Sequence, residues 1–184
     1  LRERGQDETR STMTTHAPGQ LTPASKPRTG KHPVRRARTR AHDPRLAAAE
    51  LRSAFSGQEL ALLLVFTTSA HDLARLGPAL RDEFAPVPVV GCTTAGEIGP
   101  DGYLDGSMTA VGLASTHFTV ASAWLPDLDA FDEASARELS AGLLARVGGT
   151  HEECFSLLLV DGLSIREERV ARQCQRALGD IPLV

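Results

Sequence analysis

The residues best equipped for chemistry lie between Gly91 and Glu97, in the string GCTTAGE. This short run offers a thiol (Cys92), two hydroxyls (Thr93, Thr94), a carboxylate (Glu97) and the bare backbone of Gly91 and Gly96. A glycine-flanked loop suits a phosphate, a thiol suits nucleophilic attack, and small hydroxyls with exposed N–H groups suit a polar small molecule. The phosphate reading fails first. Gly91 and Gly96 have GxxxxG spacing, but Glu97-Ile98 stands where a P-loop requires Lys-Ser/Thr, and a carboxylate there repels phosphate. Residues 46–184 contain no lysine, which also removes Schiff-base chemistry. A thiol mechanism needs a base to activate and orient Cys92. His71 is the histidine expected near the same sheet edge, whereas His117 and His151 fall at surface turns flanking strands. An isolated cysteine beside a glycine is more often a small packing residue than a catalyst.

The elements that must position these groups are legible from periodicity. An Ala-rich helix is expected from Pro44 to Phe55, with Pro44 in its first turn. ALLLVFTT reads as a strand buried on both faces, and Leu73, Leu76, Leu80 and Phe84 follow at helical spacing. Ser69 and Asp72 resemble a capping box before that helix. VPVVG is the next strand, starting late because Pro88 cannot donate to a ladder. DGYLDGS carries two Asp-Gly turn signals, after which MTAVGLAS and HFTVASAWL read as an antiparallel pair. Residues 130–147 form an amphipathic helix stopped by Gly148-Gly149. CFSLLLVDG is a further buried strand, and Ser164 with Glu167 caps a last helix bearing Ile165, Val170, Cys174 and Leu178.

These elements repeat. LLLVFTTSAHDLARLGPALRDEFAPVPVV and LLLVDGLSIREERVARQCQRALGDIPLV share one grammar of strand, polar turn, capped helix, proline and second strand. The fold class is therefore mixed α/β: two strand–helix–strand units with an antiparallel pair between them, helices packed on a mixed sheet. The second unit stops at Val184, where the first runs on into GCTTAG, so a further loop and strand are expected beyond it. Loops at the carboxyl ends of parallel strands converge on one sheet edge, the usual ligand position in such folds. That edge would gather Thr67, Thr68 and Ser69, then Gly91, Cys92, Thr93, Thr94, Gly96 and Glu97, and finally Asp161 and Gly162. Hydroxyls, backbone N–H groups and two carboxylates suit a polar, amine-bearing ligand. Against the pocket stands a plainer alternative, in which the glycines turn the chain and the threonines cap it. The sequence leaves both open.

Composition sets the remaining bounds. Residues 1–45 hold eleven Lys/Arg against four Asp/Glu, while residues 46–184 hold nine against nineteen. The basic stretch is rich in proline and poor in large apolar residues, so residues 1–44 are expected to be a disordered, solvated tail and 45–184 the folded domain. The tail has no aromatics to stack on bases, which speaks against nucleic acid, and no apolar core for a secretory signal. The longest apolar run, Leu60–Phe66, is far too short for a membrane span. Three irregularly spaced cysteines without a CxxC pair argue against a structural zinc or disulfide framework and fit a reduced, cytoplasmic compartment.

Taken together, VVGCTTAGEIGPDGYLDGSMTAVGLA and the later LLLVDGLS resemble the FIST proteins, named for F-box and intracellular signal transduction. The resemblance spans about residues 46–184, the amino-terminal FIST module. It implies a bacterial, non-enzymatic sensory domain that binds small molecules such as amino acids. Its signalling partner would be a protein such as a histidine kinase or diguanylate cyclase. Some family members bind haem and report nitric oxide. Such a site requires an axial ligand in an apolar pocket, for which His71 and His117 are the candidates. No cofactor is otherwise expected.

Overall fold

The computed structural model describes residues 32–99, 102–104 and 106–184. In chain order the elements are β1 (Val34–Thr39), α1 (Pro44–Ala54), β2 (Leu60–Thr68), α2 (Leu73–Phe84), β3 (Val89–Thr94), β4 (Glu97–Gly99), β5 (Gly102–Leu104), β6 (Met108–Ala114), α3 (Glu133–Val147) and α4 (Glu167–Leu178). The main sheet has the order β1-β6-β2-β3, with β2 and β3 parallel and the other pairs antiparallel; β4 and β5 form a separate hairpin. A mixed open sheet with packed helices is the α/β class that the periodicity predicts.

The main core lies between the sheet and the first two helices. Helix α1 begins at Pro44, with Asp43 accepting the Leu46 amide at 2.9 Å, and buries Ala47, Ala48 and Leu51. Helix α2 presents Leu76, Leu80 and Phe84 to Leu63, Val65, Met108 and Ala110. Each of these large side chains contributes roughly 1.5–3 kcal/mol by leaving water. A second cluster, Phe131, Ala136, Val170 and Cys174, joins α3 to α4.

Part of the stretch expected to be structureless is a strand. Residues 34–39 form β1, paired with β6 from Val34–Leu113 to Thr39–Met108, whereas 1–31 lie outside the described residues. The strand was hidden because its charges are put to structural use. Ala37 packs against the core, and Arg35 donates to the carbonyls of Ala54 (2.7 Å) and Ser56 (3.3 Å), where the last turn of α1 exposes unpaired acceptors. Thr39 meanwhile donates to Glu50 on α1.

This placement also corrects the expected antiparallel pair. Strand β6 has β1 on one side and β2 on the other, so HFTVASAWL finds no free ladder and forms no strand. Of its apolar residues, Phe118 and Val120 are half-buried and Trp124 is 84% exposed. CFSLLLVDG is likewise not a full strand. It makes one parallel bridge, Ser156 to Leu183, with bonds from the Ser156 amide to the Pro182 carbonyl (2.8 Å) and from the Leu158 amide to Val184 (2.8 Å).

The repeat survives in three dimensions. The buried residues of α2 (Leu76, Leu80, Phe84) and of α4 (Val170, Cys174, Leu178) occupy equivalent places. The Leu63 amide donates to Pro88 at 3.0 Å as Ser156 donates to Pro182. The caps differ from expectation. Asp72 itself caps α2, accepting the Arg75 amide at 3.2 Å, and α4 starts after Arg166 without a side-chain cap. Ser164 instead donates to the Asp161 carbonyl at 2.6 Å and accepts from the Arg166 amide, closing the turn before the helix.

Helix α3 is capped by Asp132, whose carboxyl the amide and hydroxyl of Ser135 hold below its ordinary value, and it stops at left-handed Gly148. Gly142 sits mid-helix, exposed, with nothing within 4 Å of a would-be Cβ. Gly142→Ala is expected to stabilise the protein by ~1 kcal/mol by restoring helix propensity. A midpoint in urea that stays put or falls would show that α3 is not a continuous helix in solution.

Candidate functional site

The string GCTTAGE is not a loop. Gly91, Cys92, Thr93 and Thr94 belong to β3, in parallel register with Val65, Phe66, Thr67 and Thr68 of β2; Ala95 and Gly96 alone connect β3 to β4. A strand turns successive residues to opposite faces, so its amides do not converge on a ligand, which excludes a phosphate cradle on geometric grounds. Gly91 faces Val65 on the helix side of the sheet. A Cβ there would collide with the Val65 carbonyl oxygen and lie 3.0 Å from its carbon, so the glycine is what lets β3 pack this closely. A Cβ on Gly96 would overlap the ring of Tyr103, whose hydroxyl donates to the Ala95 carbonyl at 2.8 Å.

Glu97 has an internal purpose. It is 3% exposed, and both carboxylate oxygens are occupied: Thr94 donates to Oε1 and the fully buried Ser107 donates to Oε2, each at 2.7 Å. A carboxylate out of water requires such donors, and these two fasten the end of β3 to the hairpin and to the start of β6. The threonine–glutamate–serine clasp accounts for much of the sequence signature. Of the residues expected to touch a ligand, Thr94 and Glu97 thus engage their side chains inside this clasp, and Gly96 lies beside the Tyr103 ring.

Cys92, Thr93, Thr67 and Gly91 are brought together. They line one side of a cavity of about 240 Å³ between the β2–β3 edge and α2, whose other wall is Leu73, Leu76, Gly77, Leu80 and Arg81. The floor is apolar. Ser69 lies exposed in the turn after β2, outside this cavity. Asp161 and Gly162 are not brought to it either. They form an exposed turn before α4, where the Asp161 carboxylate accepts the Leu163 amide at 2.9 Å. A separate open depression of about 380 Å³ runs along α3 past Leu125, Phe131 and Arg146 and contains none of the expected residues.

The histidine expected to serve Cys92 is committed elsewhere. His71 is buried; its Nε2 donates to the Ala41 carbonyl at 3.3 Å, which leaves Nδ1 to accept the Thr67 hydroxyl at 2.9 Å. His71 thus ties the chain after β1 to the end of β2, with His42 stacked on it at 5.7 Å. Although Cys92 is exposed as a residue, burial of its thiol against neighbouring atoms pushes its pKa up, and no opposing cause lowers it. A raised thiol is a poor nucleophile. Haem does not fit these residues: both nitrogens of His71 are bonded, and His117 is exposed with Nδ1 against Thr116 at 2.9 Å. Among the described residues no group of three His, Cys, Asp or Glu could hold a metal ion, and no helix is long and apolar enough to cross a membrane.

Sequence reasoning missed Ser107, Gly77 and Arg81. For Gly77 a signal existed: Gly77-Pro78 is an unfavourable pair for a helix interior, and such a pair points to a local need.

Among comparisons with known proteins, the family model described as FIST N domain matches residues 61–184. No curated protein and no solved structure matches the chain. The matched span contains β2 from its second residue, β3, the Thr94–Glu97–Ser107 clasp and both strand–helix–strand units. The chain belongs to the FIST family of sensory signal-transduction domains, with residues 61–184 as its FIST N domain.

Proposed function

We propose that this domain senses a small molecule in the α2–β3 cavity and relays occupancy, in the cytoplasm, to a signalling partner such as a histidine kinase or diguanylate cyclase. The observation that carries the reading is a division of labour within one short string. Thr94, Glu97 and Ser107 are spent on the clasp, whereas the Thr93 hydroxyl has no hydrogen-bond partner among the described residues and Thr93, with Cys92, borders an apolar cavity beside the anchored strand. Concave, mostly apolar sites with a few polar groups are the usual form of a small-ligand site. The two walls differ in stiffness. Strand β3 is pinned by the clasp, but Pro78 deprives α2 of the amide that would bond to the Ala74 carbonyl, one turn into the helix. Filling the cavity would therefore bias α2, the wall that yields, and α2 meets the end of α1 through the edge contact of Phe84 with Phe55, the residue that caps α1.

A thermal-shift screen of small organic molecules on the whole chain tests this, with Gly77→Leu as the control that fills the cavity. A Cβ at Gly77 meets only Arg81 Nη1, at 3.4 Å, so the variant is expected to fold. Ligands of the cavity at a hundredfold excess over Kd should stabilise the wild type by about 2.7 kcal/mol and leave the variant unchanged. Cys92→Ser should keep affinity within about tenfold, since Cys92 borders the site and its raised thiol does not attack. Hits that stabilise both wild type and Gly77→Leu equally would place the ligand elsewhere and end this proposal.

A further inference from the structure

Resting on that reading of the cavity, we infer that its ligand is a small organic anion, a carboxylic acid with a compact apolar body and no amine. Of the residues lining the cavity, Arg81 carries the only charge at neutral pH. Its guanidinium lies back along α2 over Gly77, towards the cavity, and among the described residues it has no hydrogen-bond or ion-pair partner.

The internal repeat supplies a control for what this position needs structurally. Gln175 occupies the equivalent place on α4, and its side-chain amide donates to the carbonyls of Gly179 (2.9 Å) and Ile181 (3.1 Å), closing the turn. Arg81 does none of this for its own unit. A planar, five-donor cation beside an apolar cavity and the Thr93 hydroxyl matches a carboxylate held in a fork.

The two carboxylates that would have favoured an ammonium group are elsewhere, Glu97 sealed inside its clasp and Asp161 in the turn before α4. An amine entering this cavity would lose its water without gaining a counter-ion. The volume sets the size. About 240 Å³, at ~30 Å³ for each water-sized group, admits on the order of eight heavy atoms.

Three probes of nearly equal shape separate the possibilities: 4-methylpentanoate, its neutral amide, and leucine, which adds an ammonium group to the same skeleton. Calorimetric titrations would use the full chain, Arg81→Met and Gly77→Leu. The acid should bind the wild type at least about tenfold more tightly than the amide or leucine, the discrimination of a charge-assisted hydrogen bond. Arg81→Met should bring the acid down to the amide's affinity with an unchanged melting curve, because Arg81 is exposed and unpaired. Gly77→Leu should bind none of the three. Equal binding of acid and amide, tighter binding of leucine, or full acid affinity in Arg81→Met would overturn the anion assignment. If Gly77→Leu still abolished that binding, the cavity would stand as the ligand site. Binding of no probe in a Gly77-dependent way would overturn both.

Discussion

Gly91→Ala should cost the protein about 3 kcal/mol, and Gly91→Val should prevent cooperative folding. The reason is local and steric. A Cβ at this position lands on the backbone of Val65, 3.0 Å from its carbonyl carbon and 3.2 Å from its Cβ, and closer still to the oxygen. Backbone atoms in a parallel ladder cannot rotate away as a flexible side chain can. The strands would have to separate where Leu63, Val65 and Val89 seal the core, and overpacking strain of this kind costs ~1–3 kcal/mol even where some relaxation is available. Urea unfolding followed by far-UV circular dichroism reads the loss. Gly162→Ala is the matching control, since nothing lies within 4 Å of its Cβ, and surface changes of that kind stay within about 0.5 kcal/mol. Equal midpoints for the two variants would mean that β3 does not lie against β2 as described.

The second large effect belongs to Glu97. Glu97→Leu removes an acceptor shared by the buried Ser107 hydroxyl and the half-buried Thr94 hydroxyl and should destabilise by on the order of 3 kcal/mol, each bond to a charged group being worth about 1.5–3 kcal/mol. Ser107→Ala should lose about 2 kcal/mol, because the carboxylate then keeps one donor where it had two. The pair is not additive. Once Glu97 is leucine, removing the Ser107 hydroxyl relieves an unpaired donor, so the double variant should be no worse than Glu97→Leu alone. Additive losses in that cycle, or a Glu97→Leu protein as stable as wild type, would show that the carboxylate is not clasped between the two hydroxyls.

The clasp also changes how the signature string relates to function. Its most chemically suggestive residue, Glu97, is the one most fully withdrawn from solvent, while the residues that border the cavity are Gly91 and the modest Cys92 and Thr93. The one charged side chain bordering the cavity is instead Arg81, on a helix outside the string.

What the sequence by itself determined is whatever depends on short-range pattern. The apolar run of β2, the four-residue spacing of Leu76, Leu80 and Phe84, the late start of β3 after Pro88 and the glycine stop of α3 all follow from neighbours a few positions apart. So does membership of the FIST family, which rests on contiguous strings. Tertiary structure alone decided the rest, because each missed feature depends on a partner distant in the chain. A run of arginines becomes a strand only when β6 offers a ladder and the end of α1 offers carbonyls to Arg35. HFTVASAWL keeps its alternation yet forms no strand, since that ladder is already filled. Glu97 is a surface carboxylate in any local reading until Ser107 arrives ten residues later to bury it. Asp161 and Cys92 end apart because the first unit pairs its strands along six residues, whereas the second makes a single bridge. Periodicity declares which face of an element is buried; it is silent on what that face is buried against.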